Sequence, residues 1–417
     1  MPQCVNLICR VVVTIVSPTA SNYWKALIVH RSSRAVEEKS IINLINRMRF
    51  VIPQPANRLL SNPEIASRSI STDPHETERT VTKASWYQWT SAYAQPSLGK
   101  SLWQLVNTLV PYGFLWALMI FTVQRHYSYW MTLLLAVAAG GLLIRIFIFF
   151  HDCCHGSFFA SRRANTILGY VTGVLTFTPF EDWRLAHNRH HATAGDLDRR
   201  GVGDIWTMTT EEYLKKSLWQ RFAYRVYRNP FILFGPGATL LFLFFQRFCT
   251  RGAGERERRS VLRTNLAILA VAAMATWTIG WRTYLLIQLP IIVIGGGLGV
   301  WLFYVQHQFD NAYWMRHESW QPLKVALEGS SYFQLPKIFQ WLTGNIGLHH
   351  IHHVRPNIPN YNLQRCHNEV PAFRVVKAMT FFTSLRSLRL SLFDEVLGKP
   401  VSFRSLKVVG AGNKGGL

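Results

Sequence analysis

From Trp86 onward, long hydrophobic runs alternate with polar segments that carry histidine. A helix rises about 1.5 Å per residue, so about 20 apolar residues cross the roughly 30 Å hydrocarbon core of a bilayer. Two less regular runs cover residues 164–180 and 231–247, and a Gly-Pro-Gly sequence at 235–237 interrupts the second. The pattern predicts an all-α integral membrane protein. The four runs that reach or approach the crossing length are 103–123, 130–150, 265–281 and 284–305.

The positions of the histidine clusters limit how many runs can cross. Clusters that build one site must lie on one side, so an even number of crossings separates any two of them. Run 164–180 therefore does not cross, and run 231–247 is expected to dip into the bilayer and return, because the arginine-rich segment 251–263 follows it. The sequence predicts four transmembrane helices in two hairpins, two re-entrant or interfacial segments, and a histidine-rich cap. Cap and termini are expected in the cytoplasm, because the opposite loops carry few basic residues.

Composition supports the membrane assignment. Of the 417 residues, 49% are hydrophobic and 16% are charged, and the formal net charge is +23. This charge suits anionic lipid headgroups or an acidic partner protein. Nucleic-acid binding is not predicted, because no zinc-finger spacing or RNP-like motif accompanies the charge. The six cysteines have no framework spacing, which is typical of a reducing compartment.

The two ends of the chain differ from the middle. Residues 1–84 show no sustained helical or strand period and are basic, so we expect a disordered N-terminal extension, with an organellar transit peptide as the alternative. The catalytic domain is predicted to cover residues 85–396. Residues 397–417 are predicted to form a flexible C-terminal tail.

Three short motifs hold most of the candidate ligands. In HDCCH the two histidines lie four residues apart, so a helix places both rings on one face. HNRHH and HHIHH each add histidines at spacings of three and four, so neighbouring members such as His190 and His191 can reach different metals. The nine candidate ligands are His151, His155, His187, His190, His191, His307, His349, His352 and His353. His350 is expected either to donate a hydrogen bond to a metal ligand or to have no role at the metal site.

The number and type of ligands indicate two metal ions. Nine imidazoles are too many for one ion, and the HExxH motif of hydrolytic zinc sites is absent. Imidazole suits iron, copper and zinc, so ligand type leaves the metal open. A pair of redox-active irons fits apolar surroundings, where the substrate would be a lipid and the task the oxidation of an unactivated C–H bond.

Longer stretches around these motifs resemble the membrane fatty acid desaturases, in particular the acyl-lipid Δ12 (omega-6) type. The stretches are HDCCHGSFF, HNRHHATAGDLDRRGVGDIWTMT, VQHQFDNAYW and TGNIGLHHIHHVRPNIPNYNLQRCH, and the resemblance covers roughly residues 86–390. It implies that the nine histidines hold two Fe ions on the cytoplasmic face. It also implies that O2 and two electrons are used to convert lipid-linked oleoyl chains to linoleoyl chains.

The resemblance also raises questions about other residues. Some relatives carry an asparagine one turn before the ninth histidine, where this chain has Phe303. Carboxylates that could orient ligand histidines are Asp152, Asp182, Asp196 and Asp310.

Two alternatives to a desaturase stay open. A hydroxylase or ketolase of the same fold, acting on another lipid, would use the same ligands. A metal transporter is disfavoured, because its polar residues would lie inside the crossings.

Electrons are expected from a separate protein of ferredoxin or cytochrome b5 type. The sequence shows no HPGG haem motif, no ferredoxin cysteine run and no GxGxxG after a strand. Arg199, Arg200 and the arginines of 251–263 are candidate docking residues, although basic loops also anchor membrane proteins on the cytoplasmic side.

Overall fold

The hydrophobic runs form helices in the computed structural model, which describes residues 83–406. The helices in chain order are α1 Lys83–Thr90, α2 Leu98–Gln124, α3 Tyr129–His155, α4 Arg162–Leu175, α5 Phe180–Thr193, α6 Thr210–Leu214, α7 Leu218–Tyr227, α8 Pro230–Ile232, α9 Ala238–Leu243, α10 Glu255–Ile279, α11 Trp281–His307, α12 Pro322–Glu328, α13 Lys337–Leu342, α14 His349–Val354, α15 Asn360–Glu369, α16 Pro371–Arg374 and α17 Phe381–Ser387. The strands are β1 Met208–Thr209, β2 Tyr332–Phe333, β3 Ala378–Met379, β4 Leu392–Asp394 and β5 Lys399–Val401.

Each of the four runs predicted to cross is one long helix. Helices α2, α3 and α11 have 27 residues and α10 has 25, so each is about 38–41 Å long and exceeds the hydrocarbon thickness. Gly280 alone joins α10 to α11, at a φ of +84° that favours glycine. The long helices therefore form two consecutive pairs, as predicted.

Helix α3 lies at the centre of the long helices, and small residues let α11 approach it closely. A Cβ on Gly140 would lie 2.8 Å from Cγ2 of Ile294, and one on Gly295 would lie 3.1 Å from the Gly140 carbonyl oxygen. Such close approach of backbones is typical of helix packing in membranes. Helix α3 is mostly buried while α10 is almost wholly exposed, so α10 is the helix most open to lipid.

A fifth segment, Pro230–Arg247, is also long and apolar enough to cross by length and composition. It is not one regular helix, because a π-helical turn at Leu233–Gly237 separates α8 from α9 and a 3-10 turn ends it at Phe245–Arg247. The π-helical turn contains Gly235–Gly237, where the sequence predicts an interruption, but the backbone stays helical through it. The other doubtful run contributes only α4, which has 14 residues.

Two small sheets correct the all-α prediction. Strand β4 pairs with β1 in parallel and with β5 in antiparallel orientation, while β2 pairs with β3 in parallel. Strands of two or three residues are too short to leave an alternating pattern in the sequence, which is why the analysis missed them.

The folded structure continues past residue 396, where the sequence predicts the end of the domain. Lys399–Val401 pairs with Leu392–Asp394, and Val401 is buried in a cluster with Tyr213 and Tyr224. Residues 397–406 are thus part of the folded domain. The remaining tail, 407–417, and the extension up to residue 82 lie outside the described residues; Lys83 and Ala84 begin α1.

A buried arginine connects the small sheet to the end of α11. The Arg228 guanidinium donates to the Tyr304 hydroxyl at 3.0 Å, to the Leu390 carbonyl at 2.8 Å and to the Gln308 side chain. Because Tyr304 lies one turn before His307, this network fixes the end of the helix that carries a candidate ligand.

Candidate metal centre

Four elements bring the nine predicted histidines together. His151 and His155 lie at the end of α3, and His307 is the last residue of α11. The HNRHH histidines lie on α5 and the HHIHH histidines on the single-turn helix α14. The structure separates the nine into a group of five and a group of four.

The first group contains the two HDCCH histidines and three others. Their Nε2 atoms face one another: His151 to His187 at 3.0 Å, His187 to His191 at 3.1 Å and His191 to His352 at 3.0 Å. The His155 ring lies 4.9 Å from the rings of His187, His191 and His352, centroid to centroid. All five side chains therefore point to one centre.

The second group has the same geometry with four members. The Nε2 atom of His307 lies 3.0 Å from that of His190 and 3.0 Å from that of His349. His349 and His353 approach to 3.1 Å. The rings of His191 and His353 stack at 4.2 Å, centroid to centroid, so the two groups are adjacent.

The HxxHH spacing explains why each motif serves both groups. On α5, His187 and His191 lie one turn apart and enter the first group, while His190 turns to the second. On α14 the assignment is reversed, since His349 and His353 enter the second group and His352 the first. His190 and His191 therefore lie in different groups, the arrangement that ligands of two different metal ions would need.

The distances between nitrogens fit metal coordination. With metal–nitrogen bonds of about 2.1 Å, ligands at right angles lie about 3.0 Å apart and tetrahedral ligands about 3.4 Å apart. The observed 3.0–3.1 Å matches the right-angled case, which favours an ion with more than four ligands over structural zinc. Burial lowers the pKa of His187, His191, His349, His352 and His353 well below the usual range. The imidazoles are thus held neutral, as metal binding requires.

Two carboxylates support ligand rings. Asp152 lies 3.4 Å from Nδ1 of His151 and also accepts from the backbone N–H of Asn360 at 2.7 Å. Asp204 lies 2.5 Å from Nδ1 of His190. Such contacts fix the ring orientation and direct Nε2 to the metal. Asp152 is among the carboxylates that the sequence predicts, whereas Asp204 is not, although it lies within the stretch HNRHHATAGDLDRRGVGDIWTMT.

The other predicted carboxylates lie elsewhere. Asp182 accepts from the backbone and the hydroxyl of Thr250, and Asp196 contacts Nδ1 of His317 at 2.8 Å. Asp310 is exposed. Asp182 and Asp196 thus connect distant segments of the chain, and no contact with a candidate ligand is seen for any of the three within the described residues.

His350 belongs to neither group. It is fully buried between the rings of Tyr332, His367 and Phe373, and neither ring nitrogen has a hydrogen-bond partner within the described chain. Burial lowers its pKa to about 3, so the ring is neutral and acts as packing.

Two of the arginines predicted to dock an electron donor, Arg199 and Arg200, have acidic partners in the chain. Arg200 pairs with Glu212, and Arg199 lies 3.7 Å from a carboxylate oxygen of Asp196. These contacts leave less free positive charge for an acidic partner at this position.

A large cavity ends at the histidines. It has a volume of about 550 Å³ and is lined by His151, His187 and His349 at one end. Far from the histidines the cavity is lined by Leu143 and Ile292 of the long helices. Phe242, in the segment Pro230–Arg247, also lines it. The part of α11 between Ile292 and His307 is about 22 Å long, so the cavity extends far along the long helices from the histidine groups.

A second cavity of about 30 Å³ lies against His190 and His307 of the second histidine group. Asp204, Thr207 and Gln308 line it. The histidine groups are thus reached from an apolar cavity and from a smaller cavity with polar side chains in its lining.

Membrane-length helices and an apolar cavity that ends at two adjacent histidine groups define a helical protein able to bring an apolar molecule beside candidate metal sites. The family model for fatty acid desaturases matches residues 128–383. A fatty acid desaturase of Bacillus subtilis is 49% identical over 317 residues, which are 76% of this chain and 90% of that protein. The chain therefore belongs to the fatty acid desaturase family and is an oxidoreductase of lipid metabolism.

More distant relatives carry more specific names. An sn-1 acyl-lipid omega-3 desaturase (ferredoxin) of Synechocystis is 28% identical over 54% of this chain and 63% of that protein. An sn-1 oleoyl-lipid 12-desaturase of the same organism is 25% identical over 55% of this chain and 66% of that protein. At these identities the names identify the type of reaction but leave the position of the double bond undecided.

Proposed function

We propose that this desaturase introduces a cis double bond at the Δ12 position of lipid-linked oleoyl chains and so forms linoleoyl chains. The observation that carries the proposal is the apolar cavity that ends at His151, His187 and His349. An extended acyl chain has no polar group to place against Leu143, Phe242 or Ile292. The oleoyl-lipid 12-desaturase among the relatives supports the position.

The nine histidines are proposed to hold two iron ions, five ligands on one and four on the other. Neutral buried imidazoles at 3.0–3.1 Å fit such ions. When bound, the iron pair supplies the reduction of O2 with two electrons from a donor and two from the acyl chain. The chain's own residues orient the ligands through Asp152 and Asp204, while the apolar walls hold a methylene beside the histidines and exclude water.

Four crossings in two hairpins are proposed, with Pro230–Arg247 entering the bilayer and returning. Two contacts at the ends of this segment support the proposal. Arg228 donates to Tyr304, next to His307, and Thr250 donates to Asp182 on α5 at 2.9 Å. A crossing segment would carry these two contacts to opposite sides of the membrane. The histidine side is taken as cytoplasmic, because the arginine-rich segment 251–263 lies there.

The electron donor is proposed to be a separate protein of ferredoxin or cytochrome b5 type. The printed name of the Synechocystis omega-3 relative includes ferredoxin. The +23 net charge of this chain suits an acidic donor, and the association rate should fall as salt is added.

The test is expression in a host that contains oleoyl lipids, lacks polyunsaturated ones and supplies a compatible donor. Linoleoyl chains should appear, and mass spectrometry of derivatised methyl esters locates the double bond. The control variant H191A loses a candidate ligand and should form no product.

Other products would change the proposal in defined ways. A double bond at another position would discard Δ12 and keep the desaturase. A hydroxyl or keto product would show that the protein is a hydroxylase or a ketolase and not a desaturase. No product from an iron-loaded protein with a working donor would overturn the acyl-lipid substrate.

A further inference from the structure

The two cavities at the metal centre differ in character and meet at one wall. The large cavity is lined mainly by apolar side chains, whereas Asp204, Thr207 and Gln308 face the small one. Asp204, Ile205 and Phe303 line both cavities. These three residues therefore form the boundary between an apolar and a polar compartment.

Phe303 supplies the aromatic side chain of this boundary. Its ring centroid lies 5.1 Å from that of His190 and 5.4 Å from that of His307, both in the second histidine group. One turn earlier on α11, Gly299 lines the large cavity, and a Cβ there would meet nothing within 4 Å. Beyond Phe303, the same helix face thus opens into the apolar cavity.

The small cavity has the size and lining for a small polar molecule. Its volume of about 30 Å³ is enough to hold a water molecule. Gly201, which is exposed, lies in its lining. Water and dioxygen fit there, while the large cavity offers far more room for an acyl chain.

We infer that Phe303 is a partition between the acyl cavity and a separate path for water and dioxygen through the small cavity to the second histidine group. The inference rests on the proposed desaturase function. Phe303 touches the ligand rings but offers no polar atom, so its role is to keep water from the methylene that reacts. It is a positioning residue that determines how the electrons are used.

The consequence can be written as a balance of electrons. In desaturation, CH2–CH2 + O2 + 2e⁻ + 2H⁺ gives CH=CH + 2H2O, so two C–H bonds break and the donor supplies two electrons per double bond. If water and protons reach the centre before the methylene reacts, O2 + 4e⁻ + 4H⁺ gives 2H2O, and the donor supplies all four electrons. Loss of the partition therefore raises the number of donor electrons consumed per double bond.

The first test measures donor electrons consumed per double bond in purified, iron-loaded protein with oleoyl lipid. Wild type should consume two, F303L more, and F303A several-fold more. The matched control is F234A, because Phe234 packs 5.6 Å from the Tyr304 ring and does not line either cavity. A ratio for F303A equal to that of wild type and F234A would overturn the partition.

The second test needs neither iron nor activity. In the metal-free protein, C4S, C9S and C249S remove the native thiols other than the buried Cys153, Cys154 and Cys366. G299C then places a thiol in the apolar cavity. A small anionic thiol reagent should label it slowly, and several-fold faster when F303A or F303L is added. Equal rates with and without the Phe303 change would overturn the partition. If wild type makes no double bond, the proposed function fails, while the labelling rates still decide whether Phe303 separates the compartments.

Discussion

Single imidazoles in this protein have different environments that their sequence neighbours do not reveal. The two histidine groups include His349, His352 and His353. His350, in the same helical turn, packs against aromatic rings instead. The difference follows from the 100° step of the helix, which places His349, His352 and His353 on one side and turns His350 to another.

Replacing a ligand and replacing its bystander should have different effects. H191A should lower the iron content and abolish activity, because an open coordination position also disturbs the partner ion across the His191–His353 stack. H350A should retain iron and lose only about 1–3 kcal/mol of stability, as for other buried truncations. Metal analysis of the purified proteins together with thermal unfolding checks both. An active H191A protein with full iron would contradict the ligand assignment.

Asp204 offers a test of ligand orientation. The D204N variant replaces the carboxylate that lies 2.5 Å from Nδ1 of His190. We expect metal affinity or activity to fall about 10–100-fold, the usual effect of losing such a partner. D182N is the matched control, because Asp182 contacts Thr250 and no ligand. Iron titration of both variants gives the comparison, and equal affinities would remove Asp204 from the support of the centre.

At the scale of elements, the broken segment Pro230–Arg247 and helix α11 shape the cavity together. A Cβ on Gly296 would lie 3.0 Å from the Phe242 ring, so the two elements pack closely there. A side chain at Gly299 instead finds open space. The glycines of α11 thus determine both how closely the segment packs and how much room an acyl chain has.

Filling the cavity should change which chains are used. G299L places a branched side chain in the cavity, so we expect lower conversion of long acyl chains and relatively better use of shorter ones. G113L is the control, because a Cβ on Gly113 also meets nothing within 4 Å but the residue is exposed on α2 and lines neither cavity. Fatty acid profiles of hosts fed chains of different length report the result. A G299L profile identical to that of G113L would place the acyl chain elsewhere.

Strong periodic signals made the elements that carry the site predictable. Apolar runs gave the four long helices, and the three-and-four spacing gave the split of His190 and His191. The short strands, the folded residues 397–406 and the Asp204 contact depend on tertiary packing between distant segments, such as Thr209 beside Phe393. No local pattern in the sequence encodes such contacts.

For the whole molecule, the central question is on which side each loop lies. Lys215 and Glu255 flank the segment Pro230–Arg247 and are well exposed, with side chains 73% and 81% accessible. Arg282 is the second residue of α11, beside the connection at Gly280. Cysteines at 215 and 255 should be labelled from the same side of the membrane and one at 282 from the other. Labelling of 215 and 255 from opposite sides would mean that the segment crosses.

The two histidine groups share two helices, and this arrangement couples the binding of the two ions. Helices α5 and α14 each give ligands to both groups, so the first ion to bind fixes the rings that await the second. The second ion then pays less ordering entropy than the first, which is positive cooperativity. A titration of the metal-free protein should give a binding isotherm steeper than that of two independent sites, and protein carrying a single ion should be scarce at half saturation.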